Sequence, residues 1–397
     1  MKALFLMFAF PDMNKSFNMY TAMVDMFNDN GHTVTVVAPG NDKKQTSIVL
    51  ENGIEVLRVK TLPIKNVSNI RKGVANLVLP YQYQFNINKF YKNKKFDLII
   101  IPTPPITLGS LAAHLKHKHN AQVYLILRDI FPQNAVDLGF MKSGSLIHKL
   151  FKNKENKLYK IADQIGCMSQ ANIDFVKNNN QVTTDKLHIL SNWQYINTDS
   201  SLNIDTIRRN YKIENKFVIV FGGNMGKPQQ LENVVELAAR CKPHSDIVFI
   251  LLGEGVMMDK IRKELKEKNL NNVQIYGSIP KLEYQSLLQA CDLGLISLHK
   301  DFTIPNIPSK ALDYWNVGLP ILSSVDRATD FGEILDKSQS GLWAYAGQHE
   351  QLYNCLVKLY ENPDLRKQMS INGKAYFRSH LTPEIAYATV ISKIEIK

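Results

Sequence analysis

The chain has 397 residues, 45% of them hydrophobic, which exceeds what one ordinary hydrophobic core accommodates, so we expect two domains of similar size. No run of about 18 apolar residues is present, so the sequence contains no candidate membrane-spanning helix. The four cysteines are far apart and lack the spacing of metal ligands, which indicates reduced core residues and excludes a disulfide or zinc scaffold.

The net charge of +12 is unevenly distributed along the chain. Residues 1–200 hold 24 Lys and Arg against 14 Asp and Glu, whereas residues 201–397 hold 24 against 22. Two basic clusters, 65–95 and 142–160, interleave cations with aliphatic and aromatic residues. They either lie on an anionic membrane surface or form a solvated face packed on its own core. The membrane hypothesis predicts salt-sensitive lipid binding through Lys89, Lys92, Lys94 and Lys95. Nucleic acid is not expected as a partner, because no recognised nucleic-acid module accompanies the charge.

In the first half, apolar strand-like runs alternate with segments of helical period, which is typical of a parallel α/β sheet. Residues 3–8 are predicted to form the first strand. They do not resemble a signal peptide, because the region before them holds a single Lys and no small-residue cleavage site follows, and we expect a cytoplasmic protein. Further strands are predicted at 33–38, 54–59, 97–101, 122–127 and 164–168, and helices at 107–117 and 146–161.

The same pattern repeats after a polar stretch, 192–215, whose Asn, Asp and Ser content predicts an interdomain linker. We place the boundary after residue 198, between an acceptor-side domain, 1–198, and a nucleotide-binding domain, 199–383, and expect a C-terminal helix at about 384–397 to pack on the first. Strands are predicted at 217–221, 247–252, 273–276, 293–297, 321–323 and 341–344. Two doubly wound sheets in tandem predict a ligand site in a cleft between the domains.

The segment 302–323 carries the most chemical information. A loop with two prolines leads to Ser309, the predicted N-cap of a helix that ends at Gly318. Free amides at the helix start would face an anion, Lys310 would lie beside them, and Asp313 would accept hydrogen bonds from a ribose diol. The alternative is a capped surface helix with both side chains solvated. The predicted donor contacts here are Asn306, Ile307, Pro308, Ser309 and Asp313.

A glycine-rich turn, 222–229, follows a strand and precedes a helix expected to begin near Gln230. Its three glycines allow backbone amides to approach a phosphate, and Lys227 supplies a mobile cation. Two more strand-end turns are predicted on the same rim, one near the donor sugar or phosphate and one near the base. Each turn alone is also compatible with a plain connection. The predicted contacts are Gly223, Asn224, Gly226, Gln229, Gly253, Glu254, Ser278 and Ile279.

Arg128 and Asp129 end another apolar strand and form either a structural ion pair or part of the site. In the functional interpretation Arg128 stabilises phosphate or carboxylate charge, and Asp129 orients a hydroxyl group or Arg128. The predicted catalytic residues are therefore Arg128, Asp129, Lys227 and Lys310. Motifs for a serine hydrolase, a P-loop or a metal site are missing, so we expect no cofactor and a diphosphate neutralised by amides and Lys.

At these residues the chain resembles retaining glycosyltransferases of family 4 with the GT-B fold, in the fucosamine-transferase-like branch of O-antigen and capsule assembly. The resemblance covers nearly the whole chain and is most specific at 128–139, 223–229 and 308–314. It implies two Rossmann-like doubly wound domains facing across a cleft. It also implies that Lys227 and Lys310 contact the diphosphate of a UDP-sugar and that Asp313 contacts its ribose.

The resemblance further implies transfer of an N-acetylhexosamine, or a 6-deoxy form such as FucNAc, to an undecaprenyl-diphosphate-linked saccharide. Such an enzyme works peripherally on the inner face of the bacterial cytoplasmic membrane. Two positions depart from the family pattern. Pro305 stands where the first of two Glu is usual, the second being Asp313, and the usual glycine pair of the first strand-helix loop is absent from Pro11 to Phe17. A nucleotide-sugar epimerase and a non-catalytic partner subunit are the alternatives on the same scaffold.

Overall fold

The computed structural model describes residues 1–40, 45–63, 67–197 and 203–395. The chain divides into two compact units, the first formed by Met1–Gln194 with the segment from Pro383 onward, and the second by Tyr195–Thr382. The boundary predicted after residue 198, and Lys65 of the basic cluster, lie outside the described residues. The acceptor and nucleotide roles assigned to the two domains stay predictions.

The first unit is built on one sheet. Its strands are β1 Lys2–Leu6, β2 Thr33–Pro39, β3 Ser47–Glu51, β4 Ile54–Val59, β5 Leu98–Pro102, β6 Gln122–Ile126, β7 Gln164–Cys167 and β8 Leu187–Ile189. Its helices include α1 Met19–Asp29, α2 Asn69–Phe90, α3 Gly109–His119, α4 Gln133–Asp137, α5 Leu146–Ile161 and α6 Gln170–Asn179. The strand order among the described residues is β3-β4-β2-β1-β5-β6-β7-β8, and only the β3–β4 pair of this sheet is antiparallel.

The second unit carries a parallel sheet with strands β9 Phe217–Gly222, β10 Ile247–Leu252, β11 Val273–Tyr276, β12 Leu293–Ser297, β13 Ile321–Val325 and β14 Gly341–Tyr345. Its order among the described residues is β11-β10-β9-β12-β13-β14. The helices are α7 Ile204–Asn210, α8 Glu232–Arg240, α9 Met258–Glu267, α10 Lys281–Gln289, α11 Lys310–Val317, α12 Phe331–Ser338, α13 His349–Glu361 and α14 Pro363–His380. The predicted α/β fold class is confirmed.

The sheet of the second unit is covered on both faces. Along β9, Val218 and Val220 point into one hydrophobic cluster, whereas Ile219 and Phe221 point into the other. A strand buried on both faces has no polar alternation, which is why the parallel strands are recognisable as continuous apolar runs. All strands predicted from such runs are present. Within the described residues, no helix has the length and hydropathy needed to cross a membrane.

The predicted linker is wrong in part. Residues Ile204–Asn210 form helix α7, and Asn203 is its N-cap. Ile207 and Tyr211, four residues apart, are buried in the core of the second unit. Two apolar side chains on one helical face are enough to fix a short helix by tertiary packing, although its composition is that of a linker.

The last helix, α15 (Pro383–Ile391), belongs to the first unit. Its Tyr387 ring packs edge-on against Phe27 of α1, with ring centroids 5.1 Å apart. The Tyr387 hydroxyl lies 2.8 Å from Nε2 of His32. An aromatic pair with a hydrogen-bonded polar end therefore joins the two ends of the described chain within one unit.

Each sheet has one point at which the strand order reverses. This point lies between β1 and β5 in the first unit and between β9 and β12 in the second. Loops that leave the carboxyl ends of such neighbouring strands diverge to opposite faces of the sheet and open a crevice, the usual ligand position in this architecture. In the second unit these loops are the glycine-rich turn and the segment that leads into α11.

Candidate functional site

A cleft of about 570 Å³ lies at the carboxyl edge of the second sheet, at the reversal point. Ten of the predicted site residues line this cleft: Gly223, Asn224, Gln229, Gly253, Glu254, Ser278, Ile279, Ser309, Lys310 and Asp313. They come from the ends of β9, β10 and β11 and from the start of α11. The structure thus brings together most of a group that the sequence spreads over about ninety positions.

The other predicted residues do not line this cleft. Gly226 is buried within the glycine-rich turn, and Lys227 is exposed on it. Asn306, Ile307 and Pro308 are half-buried in the loop before α11, whose Asn306 carbonyl accepts a hydrogen bond from Thr329 Oγ1 at 2.7 Å. This hydrogen bond holds the loop that precedes α11. Arg128 and Asp129 belong to the first unit.

The turns after β9 and β10 form the floor of the cleft by direct backbone contact. The amide of Met225 donates to the carbonyl of Glu254 at 2.8 Å, and that of Gly223 donates to the carbonyl of Leu252 at 2.9 Å. Gly253 has φ of +137°, and a Cβ atom there would lie 1.9 Å from the carbonyl oxygen of Gly223. No other residue type fits at Gly253, because both the conformation and the space exclude a side chain.

The glycine-rich turn ends differently from the prediction. Lys227–Gln229 form a short 3-10 turn, Gln230 adopts a left-handed conformation with φ of 36°, and α8 begins only at Glu232. The Gln229 Oε1 atom accepts a hydrogen bond from the amide of Gly226 at 3.1 Å. This bond closes the turn on itself and holds the Gln229 side chain at the cleft.

Helix α11 begins at Lys310 and ends at the left-handed Gly318, as predicted. The predicted N-cap is wrong in one respect, because Ser309 has helical φ and ψ of −61° and −25° and its hydroxyl makes no cap hydrogen bond. A cap side chain reaches the first amides only from an extended backbone. The amides of Ala311 and Leu312 instead donate to the carbonyls of Pro308 and Ser309 at 3.1 Å each. Those two amides are therefore engaged within the turn, and the positive group that α11 itself presents to the cleft is the Lys310 ammonium.

Lys310 is a cation in an apolar setting. Its Nζ atom lies 3.8 Å from the centroid of the buried Phe221 ring, so the ring face supplies most of its stabilisation. Among the described residues no carboxylate forms an ion pair with it. Burial lowers the pKa of Lys310 to about 7. An anion bound in the cleft would restore the full charge of this ammonium group.

Two tyrosines and a lysine at the cleft were not identified from the sequence. The Tyr314 hydroxyl accepts a hydrogen bond from the amide of Gly222 and lies 3.2 Å from the carbonyl of Leu295. Tyr284 lines the cleft and fills the space where a side chain at position 222 would lie. Lys281, at the start of α10, also lines the cleft. Tyr314 ends the motif 308–314, but the motif does not assign it a site role; the glycines that accommodate the two rings, Gly222 and Gly294, are the remaining signal.

Arg128 and Asp129 form no ion pair in the described part of the chain, so the structural ion pair is the wrong alternative. The Arg128 guanidinium lies over the Trp193 ring at 5.0 Å and donates to the carbonyls of Leu127 at 3.1 Å and Ser191 at 3.2 Å. Burial lowers the pKa of Arg128 to about 10. Its neighbours are thus a ring and neutral carbonyl groups.

Asp129 is a half-buried carboxylate without a cationic partner among the described residues. Its Oδ1 atom accepts a hydrogen bond from Asn134 Nδ2 at 2.5 Å. Burial raises the pKa of Asp129 to about 6, and the hydrogen bond offsets only part of this shift. The Thr103 hydroxyl accepts hydrogen bonds from the amides of Arg128 and Asp129 at 3.0 and 3.3 Å, which fixes the backbone of both. A perturbed carboxylate on a fixed strand end is typical of a functional group.

Two family models match this chain, Glycosyltransferase Family 4 over residues 19–193 and Glycosyl transferases group 1 over residues 203–376. The probable glycosyltransferase WbjE of Pseudomonas aeruginosa is 23% identical over 319 residues, which cover 78% of this chain and 74% of that protein. The putative colanic acid biosynthesis glycosyl transferase WcaI of Escherichia coli is 24% identical over 39% of each chain. The structure of HepE from Anabaena in complex with UDP has a TM-score of 0.72, with 16% identity and 99% of both chains covered.

Replacement of Gly253 by Ala is expected to distort the cleft floor, because the new Cβ would collide with the Gly223 carbonyl. We expect a loss of about 2–3 kcal/mol in the free energy of unfolding, measured by chemical denaturation. Gly277→Ala is the matched control, since Gly277 also lines the cleft but has no atom within 4 Å of its Cβ position. Equal stability of the two variants would contradict the interlocked turns.

Binding of an anion beside Lys310 is expected to be coupled to proton uptake. The free protein has a lowered pKa of about 7 there, so above pH 7 the group is mostly neutral and must gain a proton when an anion binds. Affinity for UDP should therefore fall as the pH rises from 7 to 9. Calorimetry in buffers of different ionisation enthalpy measures the uptake, and Lys310→Met should abolish it. Uptake that persists in this variant would assign the proton to another group.

Proposed function

Since the chain is a glycosyltransferase of the GT4 type with the GT-B fold, we propose that it transfers a sugar from a UDP-sugar to a lipid-linked saccharide. The observation that carries the donor assignment is the cleft at the reversal point of the second sheet. There the desolvated Lys310 ammonium lies beside Gly223 and in the same cleft as Asp313. A cation, a glycine turn and a carboxylate at this edge suit a nucleoside diphosphate. HepE, which has the same fold, was crystallised with UDP.

In this proposal the donor is held by groups from three strand ends. The amides of Gly223, Met225 and Gly226 already donate to protein acceptors, so the predicted amide cradle is not available. The diphosphate instead contacts the Lys310 ammonium beside the glycine-rich turn, with Lys227 as a second cation. Asp313 accepts hydrogen bonds from the ribose diol, and the turn at Ser278 and Ile279 meets the base edge. Among the described residues no group of three or more His, Cys, Asp and Glu is placed to hold a metal ion. We propose that Lys310 and Lys227 neutralise the diphosphate without a metal ion.

We propose that the reaction retains the anomeric configuration. In a front-face mechanism the leaving phosphate oxygen accepts the proton of the acceptor hydroxyl, so the protein has to orient the reactants and stabilise the departing charge. Lys310 supplies that stabilisation. Arg128 and Asp129 act on the acceptor side in this proposal, Arg128 as a fixed positive charge and Asp129 as an acceptor for a hydroxyl hydrogen bond.

The donor sugar is proposed to be an N-acetylhexosamine or its 6-deoxy form, such as FucNAc, which makes the protein a hexosyltransferase. The acceptor is proposed to be an undecaprenyl-diphosphate-linked saccharide of a surface polysaccharide, capsule or O-antigen. The similarity to WbjE and to WcaI, whose name refers to colanic acid biosynthesis, supports a role in polysaccharide assembly.

The decisive experiment is a panel of UDP-sugars against lipid-diphosphate-linked saccharides, with the anomeric configuration of the product read by NMR. Transfer with retention is the expected result. A free, rearranged nucleotide-sugar formed without acceptor would indicate an epimerase instead. UDP binding with no turnover across the panel would indicate a non-catalytic subunit.

Removal of either site cation is expected to slow the transfer reaction strongly. Lys310→Ala and Lys227→Ala should each lose about 2–4 kcal/mol of transition-state stabilisation in kcat/KM, because few other charges face the departing diphosphate. Lys300→Ala is the control, since Lys300 is exposed on the loop between β12 and α11 and belongs neither to the cleft lining nor to the glycine-rich turn that carries Lys227. EDTA should leave the rate unchanged. Full activity in both site variants, or inactivation by the chelator, would refute the assignment.

The first unit exposes an apolar surface of the kind that the membrane hypothesis requires. Val74, Leu77, Tyr81 and Phe85 on α2 are 50%, 38%, 70% and 69% exposed, and their spacing places them on one helical face. On α5 Leu146, Ile147 and Leu150 are exposed as well. Exposed Arg71, Lys72, Lys89 and Lys149 accompany them. We propose that this surface contacts an anionic leaflet.

Some residues of the predicted membrane surface have other roles. Leu79, Tyr83 and Tyr91 are buried in the core of the first unit, because they lie on the opposite face of α2 or just beyond its end. The Lys94 Nζ atom pairs with Glu55 at 2.6 Å. Lys94 is therefore half-buried and already paired, so only Lys89, Lys92 and Lys95 remain as exposed cations of the predicted set.

Binding to vesicles with anionic lipid should depend on the exposed cations and on the exposed apolar side chains of this surface. We expect salt-sensitive cosedimentation that is weakened when Lys89, Lys92 and Lys95 are changed together to Gln. The double variant Tyr81→Ser and Phe85→Ser should weaken it at all salt concentrations, because it removes apolar insertion. Ile371→Ser, a 55% exposed apolar residue on α14 of the second unit, is the control. Equally negligible binding of the unmodified protein to anionic and neutral vesicles at low salt would refute the membrane surface.

A further inference from the structure

The order of the first sheet reverses between β1 and β5, and the loop after β1 leaves the carboxyl edge at this point, where ligands usually bind in this architecture. This loop, residues 7–18, runs from β1 to the N-cap of α1 and contains no glycine. None of its residues has a positive φ. Side chains from neighbouring elements fix the course of the loop. At its end the Asn18 side chain accepts hydrogen bonds from the amides of Tyr20 and Thr21 at 2.8 and 3.0 Å.

Arg58 on β4 holds the first part of the loop. Its Nε and Nη2 atoms donate to the two carboxylate oxygens of Glu51 at 2.7 and 2.6 Å. The Nη2 group also donates to the carbonyl of Pro11 at 2.8 Å. Nη1 donates to the carbonyls of Phe10 at 2.8 Å and Pro39 at 3.4 Å. All five guanidinium N–H groups thus have acceptors, and both Arg58 and Glu51 are at most 5% exposed.

Glu51 and Asn52 hold the second part of the loop. The Glu51 Oε2 atom accepts a hydrogen bond from the amide of Met13 at 3.0 Å. The Asn52 amide donates to Asn14 Oδ1 at 3.0 Å, and the Asn52 side chain donates to Asp25 of α1 at 3.1 Å. The β3–β4 hairpin therefore fixes the loop from Phe10 to Asn14 together with the helix that follows.

The tip of the loop, which begins at the anchored Asn14, is exposed. Asn14, Lys15, Ser16 and Phe17 all face solvent, and the Phe17 ring is 50% exposed. An aromatic face beside amide, hydroxyl and ammonium groups matches a saccharide, whose C–H face packs on a ring and whose hydroxyls hydrogen-bond to polar side chains. The tip is thus a polar and aromatic surface on a loop that is fixed at its base.

The end of this loop is joined to the other candidate residues of the first unit. Trp193 Nε1 donates to the carbonyl of Met19 at 2.5 Å, and the Trp193 ring lies under the Arg128 guanidinium. Thr103, directly after β5, binds the amides of Arg128 and Asp129. The start of α1, the loop after β5 and the loop after β6 therefore share one edge with the tip.

We propose that Arg58 and Glu51 are positioning residues for the acceptor: they fix the loop after β1 so that its tip, Asn14 to Phe17, contacts the acceptor saccharide. The inference rests on the proposed function, which assigns the cleft of the second unit to the donor. A loop fixed before binding loses little conformational entropy when the ligand arrives, so the buried pair favours acceptor affinity without touching the acceptor.

The test compares Phe17→Ser at the tip with Arg58→Met at the base. With the donor and acceptor identified in the panel, kcat/KM for the acceptor should fall about tenfold or more in each variant, because the contact surface is lost or displaced. The UDP affinity, measured by calorimetry, should stay unchanged in both. A merely structural role of the pair would lower the melting temperature without this selective change in acceptor kinetics.

Two controls separate positioning from stability. Asp163→Asn breaks another ion pair of the first unit, with Lys116 at 2.6 Å, that does not touch the loop. It should lower the melting temperature and leave the acceptor KM unchanged. The double variant Glu51→Leu and Arg58→Met removes both buried charges and should be more stable than Arg58→Met alone. Its acceptor KM should nevertheless stay raised, because the loop is still released.

The outcomes are distinguishable. An active Phe17→Ser variant with the acceptor kinetics of the unmodified protein would refute the tip as an acceptor contact, and loss of UDP affinity in parallel would refute the assignment to the acceptor. If Arg58→Met does not fold, the conservative Arg58→Lys keeps the charge but cannot make the five hydrogen bonds to Glu51, Phe10, Pro11 and Pro39, and it must raise the acceptor KM by itself. Failure of the unmodified protein to transfer any sugar would instead refute the proposed function.

Discussion

The close contact between the turns after β9 and β10 is the constraint on which the candidate donor site depends. Gly253 lies so near the Gly223 carbonyl that neither turn tolerates a side chain there, and the amide of Met225 ties the same turns together. Because these turns fix one side of the crevice, the start of α11 only has to deliver Lys310 against Phe221. Strand order supplies the crevice, and backbone contact between glycines gives it a shape that an anion can enter.

The molecule holds two kinds of desolvated charge, and the difference between them separates structure from function. Arg58 is nearly inaccessible, yet all five of its N–H groups have acceptors, so its charge is fully compensated. Lys310 has a ring face and no carboxylate partner in the described chain, and its pKa is lowered to about 7. A compensated charge holds elements together, whereas a poorly compensated one is stabilised by a ligand. Asp129, with a pKa raised to about 6, belongs to the second kind.

The sequence predicted the sheet elements better than the side-chain environments. The parallel strands are continuous apolar runs, and ten cleft residues were recognised from glycine turns and the start of α11. The β3–β4 hairpin was missed, although its Asn52-Gly53 turn, with φ of 49° and 75°, has the sequence of a two-residue hairpin. Tyr284 and the missing Ser309 cap were beyond prediction, because both depend on how α10 and α11 pack on the sheet.

The two reversal points show that one architecture can shape a ligand edge by two different means. In the second unit glycines remove side chains so that backbone turns interlock, and the cost is backbone entropy in the unfolded chain. In the first unit the loop after β1 has no glycine, and a saturated Arg58–Glu51 pair on an added hairpin fixes its path. The glycine solution leaves a cleft floor of backbone beside the Lys310 side chain, whereas the side-chain solution leaves the loop's own side chains exposed. An edge of the first kind suits phosphate groups, and one of the second kind suits a larger ligand rich in hydroxyl groups.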